Sequence, residues 1–408
     1  MKPQKLTILC QRFYPELIST GLTLTELCEV LARKGVEVEV VCGPPTILGG
    51  KYSKFTNYME IKIHRVWGTQ FPKMNLFGRI INQITYSVST LLFLLKSSKK
   101  DPILVLTNPP FLAISAAIMR ILKRRPYLYL IFDVYPDTAV VLGLLGKNSS
   151  LTWLWHLTNK ITFIFAKKII VLGRCMQAVI EPRLTKKQKE KIEIITVWSN
   201  DRLIQESKTE YKNNVFIHEW GLQDKFVVLY SGNMGWFHDL ETIIEAAKIL
   251  KSHTEIEFVF VGEGHKKEYI RNYIEEYRLR NCQLHTYVDR DCLGLLLAAG
   301  DVGLVSLNEG QEGLSVPSKT FGLMAAGLPI FGIMSERSEI AQIIKENDFG
   351  EVIRPGDAVS LASLVLALSK DSDQAKVWGD NAKKAIEDKY NLNIIADKYL
   401  DLIKNINQ

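Results

Sequence analysis

The sequence has no Cys-x-x-Cys pair, and its His, Asp and Glu residues do not cluster at metal-ligand spacings. Its six cysteines, Cys10, Cys28, Cys42, Cys175, Cys282 and Cys292, are scattered. That excludes a zinc ribbon and a disulfide framework, and points to small buried thiols in a reducing compartment. No secretory leader is read, because Lys2 and Lys5 precede a strand-like segment at 6–10 that is too short for a signal core. No apolar run has the length of a membrane-spanning helix, and the stretch 91–95 sits in a segment broken by Ser, Thr and Asn. Low-complexity tracts, short-period repeats and nucleic-acid-binding signatures are also missing. These lacks set the expectation of a cytoplasmic protein with no metal, no cofactor and no nucleic-acid partner.

What is present is a long apolar chain of uneven charge. At 408 residues and 47% apolar composition it is expected to form two domains with ample cores. Residues 1–200 carry 28 Lys and Arg against 12 Asp and Glu, a net of +16; residues 201–408 carry 23 against 32, a net of −9. A basic half and an acidic half imply different partners. In the first half, strand patterns at 5–10, 37–42, 62–66, 103–107, 127–132, 169–172 and 193–197 alternate with helical patterns at 22–34, 76–96 and 111–122. A loop is expected from 13 to 21. Residues 199–224 are polar and read as a linker. The alternation restarts at 226, with strands at 257–261, 282–285, 302–305, 330–333 and 351–353, and with helices at 360–369, 374–388 and 393–406. Alternating strands and helices predict an α/β fold, with two Rossmann-like, doubly wound parallel sheets in tandem and an interdomain cleft.

Three segments of the second half carry the chemistry. Residues 312–329 read as a loop, a helix and a stop. Ser318 is the expected N-cap, Lys319 stands in the first turn, Gly327 is the C′ residue and Pro329 blocks continuation. A lysine disfavours the positive end of a helix dipole, so an anion held by both the lysine and the helix amides would explain its place. A solvated lysine on an ordinary capped helix is the alternative. Next, the strand at 226–230 runs into Ser231-Gly232-Asn233-Met234-Gly235, and His238-Asp239-Leu240-Glu241 is expected to open a helix running to about Lys251. Last, the strand at 257–261 runs into Gly262-Glu263-Gly264, and His265-Lys266-Lys267 is expected to open a basic helix. Each glycine turn alone is an ordinary βα connection. Together they suggest that the carboxyl edge of a parallel sheet holds a phosphate ligand. In the first half, Asp133 and Asp137 follow a buried strand, where they could hold hydroxyls, accept a proton or cap the next helix.

Two first-half segments suit a membrane surface. Residues 77–100 mix aromatic and aliphatic side chains with Arg79, Lys96, Lys99 and Lys100. Trp153, Trp155, Phe163 and Phe165 lie near Lys160, Lys167 and Lys168. Tryptophan with lysine is an interfacial composition, and the basic half would favour an anionic membrane surface. The alternative is that these aromatics are core.

The motifs Phe13-Tyr14-Pro15-Glu16 with Gly21, Asp133-Val134-Tyr135-Pro136-Asp137, Ser231 to Gly235, Gly262-Glu263-Gly264, and Val316-Pro317-Ser318-Lys319 with Ala325-Ala326-Gly327 resemble the family 4 glycosyltransferases. These are retaining enzymes of GT-B architecture, and the likeness is to the bacterial surface-polysaccharide subgroup that includes fucosaminyltransferase-like proteins. The resemblance runs nearly end to end. It implies a membrane-facing acceptor domain at 1–200, a nucleotide-sugar domain at 201–388, and a last helix at 389–408 that crosses back. It implies donor contacts from Gly232, Asn233, Gly235, His238, Gly262, Gly264, Gly313, Leu314, Ser315, Ser318 and Lys319, with Glu339 as a ribose candidate and Gly21 and Arg174 on the acceptor side. The chain departs from the wider family in three places. Leu314 and Gly322 stand where a Glu pair is common, Asn233 and His238 where an Arg and a Lys are common, and Asp133 where a cleft histidine is common.

The expected reaction is transfer of a sugar from a nucleoside diphosphate, UDP by resemblance, to a hydroxyl of a polyprenyl-diphosphate-linked saccharide, with retention. It would serve O-antigen, capsule or exopolysaccharide synthesis at the inner face of the membrane. Lys319 is the expected diphosphate partner, and Asp133 and Asp137 are the acceptor-side candidates. Rival readings are a nucleotide-sugar epimerase of the same architecture, a non-catalytic nucleotide-sugar scaffold, and a lipid- or nucleic-acid-binding protein driven by the basic half.

Overall fold

The computed structural model describes residues 4–16, 19–45, 56–71, 76–199 and 214–406. The chain divides into two compact units, Met1–Thr196 with Leu392–Gln408, and Val197–Asn391. Of the expected linker, residues 200–213 lie outside the described residues. Beyond them, Asn214 caps the short helix Val215–Glu219 by accepting from the Phe216 N–H at 3.0 Å.

The first unit is built on an eight-stranded sheet. Its strands are β1 (Gln4–Leu9), β2 (Val36–Cys42), β3 (Asn57–Tyr58), β4 (Ile61–Arg65), β5 (Ile103–Leu106), β6 (Tyr127–Ile131), β7 (Lys168–Val171) and β8 (Ile192–Ile194). The order is β3-β4-β2-β1-β5-β6-β7-β8, parallel throughout except for β3 against β4. Every residue of β5 and β6 is buried, which is why these strands read as unbroken apolar runs rather than as alternating patterns. Helix Ser19–Arg33 follows β1 and ends at Gly35, whose φ of 87° lets the chain turn straight into β2. This helix starts earlier than expected, so Gly21 lies in its first turn and not in a loop. The Gly21 carbonyl accepts from the Thr25 hydroxyl at 2.8 Å. Helix Leu392–Asn405 packs on helix Ser19–Arg33, with Lys34 paired to Asp397 at 2.7 Å.

The second unit has six parallel strands, β9 (Phe226–Ser231), β10 (Ile256–Val261), β11 (Cys282–His285), β12 (Val302–Ser306), β13 (Ile330–Ile333) and β14 (Gly350–Ile353). Their order is β11-β10-β9-β12-β13-β14. Strand β10 is buried at all six positions, and Phe258 and Phe260 are sealed in the core with Ile243, Ile244 and Leu361. Each such phenylalanine contributes about 1.5–3 kcal/mol by leaving water. In this unit the winding reverses between β9 and β12, and in the first unit between β1 and β5. Open α/β sheets bind ligands at the carboxyl edge beside such a reversal, which directs attention to the loops leaving β9 and β12.

Candidate active site

The loops leaving β9 and β10 are zipped together by their backbones. Gly232 donates to the Val261 carbonyl at 2.9 Å, Met234 to Glu263 at 2.8 Å, and Lys266 back to Met234 at 2.9 Å. The approach is close enough to require glycine. Gly262 has φ 152°, and a Cβ there would fall 2.0 Å from the Gly232 carbonyl oxygen. The zipper occupies the Gly232 and Met234 amides. Among the described residues, the amides of Asn233 and Gly235, like those of Trp236 and Phe237 further along the loop, have no backbone carbonyl partner.

Lys319, the first residue of helix Lys319–Ala326, reaches this loop from the β12 side. Its Nζ lies 3.7 Å above the centre of the Tyr230 ring, and it would be 3.0 Å from a Cβ on Gly232. The Nζ is buried and has no hydrogen-bond partner. Burial without a counter-charge pushes its pKa down to about 7. Three more buried polar atoms nearby in the chain also lack a partner: the hydroxyls of Ser306 and Thr320 and the Gln311 Oε1. Buried polar groups in folded proteins are nearly always satisfied, so such a group marks where a ligand belongs. The other lysines are already engaged. Lys266 binds Glu241 at 2.8 Å and the His238 carbonyl at 2.7 Å, and Lys267 binds Glu263 at 2.5 Å. Helix Lys267–Tyr277, expected to be basic, holds Glu268, Glu275 and Glu276 and is not.

Several expected contacts are corrected. Ser318 is not a side-chain cap; it is helical in conformation and makes no capping hydrogen bond. The turn closes instead through the carbonyls of Pro317 and Ser318, which accept from Thr320 and Phe321. Leu314 points into the core, and its amide is occupied by the Gln311 carbonyl at 3.1 Å, so it offers nothing to an anion. Gly313, at φ 75°, and Ser315 flank it in the same loop. The helix after this loop, Glu241–Ile249, begins at Glu241, the last of the four residues expected to open it, and Asp239 accepts from the Thr242 N–H at 3.0 Å in its first turn. Burial and the charge of Lys319 push the His238 pKa down to about 3, so the ring is neutral. Its Nδ1 is 2.8 Å from the Ser306 carbonyl, an oxygen that can only accept, which fixes the proton on Nδ1 and leaves Nε2 as an acceptor. That geometry suits a hydroxyl and not a phosphate oxygen. Gly264 joins the zipper beside Asn233, and Gly327 is a left-handed C-cap at φ 73°. Glu339 is buried at the first position of helix Glu339–Asn347, past β13, behind the Ser338 cap. Tyr230, Ser306, Gln311 and Thr320 were not anticipated. Only the placement of Tyr230 and Ser306 at strand ends was a sequence signal.

In the first unit, Asp133 follows β6. The Thr107 hydroxyl, at the end of β5, accepts from the Phe132 N–H at 3.1 Å and so fixes the turn. Burial alone pushes the Asp133 pKa up to about 6. The carboxyl lines a narrow crevice with Asn159, Phe163 and Arg183. Asp137 is different: both its oxygens are held by the Arg183 fork at 2.6 Å. Arg174 begins helix Arg174–Ile180, past β7. Trp155 and Phe163 are core residues, Trp155 stacked on Tyr135 at 5.5 Å, so only part of the expected interfacial set faces outward. Among the described residues, no group of three or more His, Cys, Asp and Glu could hold a metal, and no helix is long and apolar enough to cross a membrane.

Residues 213–385 match the family described as Glycosyl transferases group 1. The fold is GT-B. The chain is 28% identical over 300 residues to the probable glycosyltransferase WbjE of Pseudomonas aeruginosa, covering 72% of this chain and 74% of that one. It is 28% identical over 338 residues to the putative colanic acid biosynthesis glycosyl transferase WcaI of Escherichia coli K12, covering 79% and 81%. The Anabaena protein Alr3699/HepE, solved with UDP and glucose, superposes with a TM-score of 0.73 at 16% identity, over 98% of this chain and all of that one. The family match and the two relatives support a glycosyltransferase, and the likeness to HepE shows the fold.

Proposed function

We propose that this protein transfers a sugar from a UDP-linked donor to a hydroxyl of a lipid-linked saccharide in bacterial surface-polysaccharide synthesis, with retention of anomeric configuration. The observation that carries the donor assignment is the buried, unpartnered Lys319 Nζ against the glycine zipper. A cation taken from water with no counter-charge is unfavourable, and a diphosphate supplies the missing charge. As the anomeric C–O bond breaks, negative charge builds on the leaving diphosphate. Lys319 and the open amides of Asn233 and Gly235 are the proposed stabilisers of that charge. His238 Nε2, a fixed acceptor, is assigned to a donor hydroxyl. Asp133, with a pKa near 6, is the proposed acceptor of the hydroxyl's proton as the new C–O bond forms. Asp137 is assigned to positioning through Arg183. Glu339 remains assigned to ribose, and Gly21 and Arg174 to the acceptor side.

UDP is favoured because HepE was solved with UDP and with UDP-glucose. The surface-polysaccharide role follows the colanic acid assignment in WcaI's name. The reading calls for no cofactor besides the nucleotide-sugar, and it places the protein in the cytoplasm, peripheral to the inner face of the membrane. Calorimetric titration with UDP, GDP and ADP, with and without Lys319→Ala, tests it. Binding of UDP that weakens in the variant is expected. Failure to bind any nucleotide would leave only the fold.

A further inference from the structure

Two features of the first unit go unused by the chemistry above. One is a cavity of about 680 Å³ between helices Asp137–Val141 and Ser150–Phe165 and the turn Glu181–Arg183, large enough for a small-molecule ligand. Lys147, His156, Lys160 and Arg183 line it. Arg183 is matched by Asp137, so the unmatched charge is that of the two lysines. The other feature is the outer surface of three helices, Leu76–Lys96, Leu112–Lys123 and Ser150–Phe165, the middle one packed against both others. Leu92, Leu122, Trp153, Leu157 and Ile161 are exposed there, Trp153 at 67%. From Ile61 to Ile180 the acids are Asp101, Asp133 and Asp137 alone, against 16 Lys and Arg.

The two features meet on one helix. At about 100° per residue, Thr152, His156, Asn159 and Lys160 form the stripe that lines the cavity. Trp153, Leu157, Ile161 and Ile164 form the exposed stripe beside it, with Lys160 on the border. A cationic cavity bordering an apolar, nearly acid-free surface matches one amphipathic ligand: an anionic head with a hydrocarbon tail, on an anionic bilayer. A symmetric dimer through this face would set the cationic patch against itself.

We propose that the cavity binds the diphosphate of a prenyl-diphosphate-linked acceptor while the three-helix face rests on the bilayer that carries it. This rests on the reading of the chain as a transferase with a lipid-linked acceptor, and it names the subsite for the head. Asn159, Phe163 and Arg183 line both the cavity and the Asp133 crevice, so a saccharide on that diphosphate has a short route to the carboxyl.

The test is co-sedimentation of the full chain with phosphatidylcholine vesicles carrying either a prenyl diphosphate or phosphatidylglycerol at matched surface charge. Tighter binding to the prenyl diphosphate vesicles is expected, and Lys147→Ala with Lys160→Ala should reduce that preference about tenfold. Trp153→Glu with Leu157→Glu should weaken binding to both vesicles. Equal binding to both lipids, or a preference that survives the double lysine variant, overturns the cavity assignment. Binding of soluble pyrophosphate without any vesicle binding overturns the bilayer part. So does self-association that shields the face. Nucleotide titration of the same samples separates the two readings. Intact UDP binding with no lipid preference removes the cavity alone, whereas a lipid preference without nucleotide binding removes the transferase and leaves the lipid site.

Discussion

The two units share one winding plan and depart from it in opposite electrostatic directions. In the second unit the strand-exit loops approach through glycines, and the unpaired buried ion is a cation, Lys319, with its pKa pushed down to about 7. In the first unit the loops leaving β1, β5 and β6 carry prolines at Pro15, Pro109 and Pro136, and the group lining the crevice is an acid, Asp133, pushed up to about 6. Burial is the leading cause in both, and neither group has a counter-ion. The difference teaches that the units prepare for different partners. A backbone cradle with a cation waits for a compact polyanion. A lone carboxyl waits for a group that gives up a proton.

The sharpest way to break this contrast is to remove the two ions separately. Lys319→Ala should lower kcat/KM about 30- to 1,000-fold, equivalent to roughly 2–4 kcal/mol of transition-state stabilisation. It should weaken UDP binding as well, because the charge is needed before and during departure of the diphosphate. Near-normal turnover would remove Lys319 from the phosphate site. Asp133→Asn should lower kcat on the order of 100-fold while leaving UDP affinity unchanged, and it should abolish the acid limb of the rate profile near pH 6. An unchanged rate at saturating acceptor would show that the carboxyl takes no proton.

The cradle itself can be broken without touching a charge. In Gly262→Ala the new methyl would meet the Gly232 carbonyl at 2.0 Å, and the backbone there has φ 152°. The zipper has to open, at a cost of about 1–3 kcal/mol in stability by denaturant titration, with nucleotide binding lost alongside. Stability and affinity that both stay at wild-type level would show that the zipper is not needed.

The sheets were legible because fully buried parallel strands are unbroken apolar runs; 256–261 can hardly be read otherwise. The glycine turns were legible because they follow such strands directly. What escaped depended on partners distant in sequence. Asp137 and Asp133 look alike in the motif, and only Arg183 tells them apart. That His238 is neutral rather than a cation is set by its burial and by Lys319, and which ring nitrogen keeps the proton is set by the Ser306 carbonyl. The aromatic residues of helix Ser150–Phe165 divide between core and surface according to which neighbours cover them, so Trp153 and Trp155 could not be separated by composition. Ser318 failed as a cap because neighbouring carbonyls close the same turn.

The smallest expected effect sharpens the contrast most, because it reads the lysine's charge directly. In the free protein Lys319 is half-protonated near pH 7. A bound diphosphate favours the ammonium, so binding above pH 7 must take up a proton. With a nucleotide-sugar, whose diphosphate is fully esterified and does not titrate here, uptake should be about 0.9 proton at pH 8 and about 0.1 at pH 6. Affinity should fall about fivefold between pH 7 and 8, which is about 1 kcal/mol. Calorimetry in buffers of different ionisation enthalpy measures the uptake, and Lys319→Met sets the baseline. Stability of the free protein should move the other way. An unfolded lysine keeps its proton up to its ordinary pKa of 10.5, so the unfolded chain binds more protons between about 7 and 10.5 and this group's contribution to stability rises with pH in that window. If uptake is the same in Lys319→Met, the proton comes from elsewhere, and the second unit's ion is not the one that meets the diphosphate.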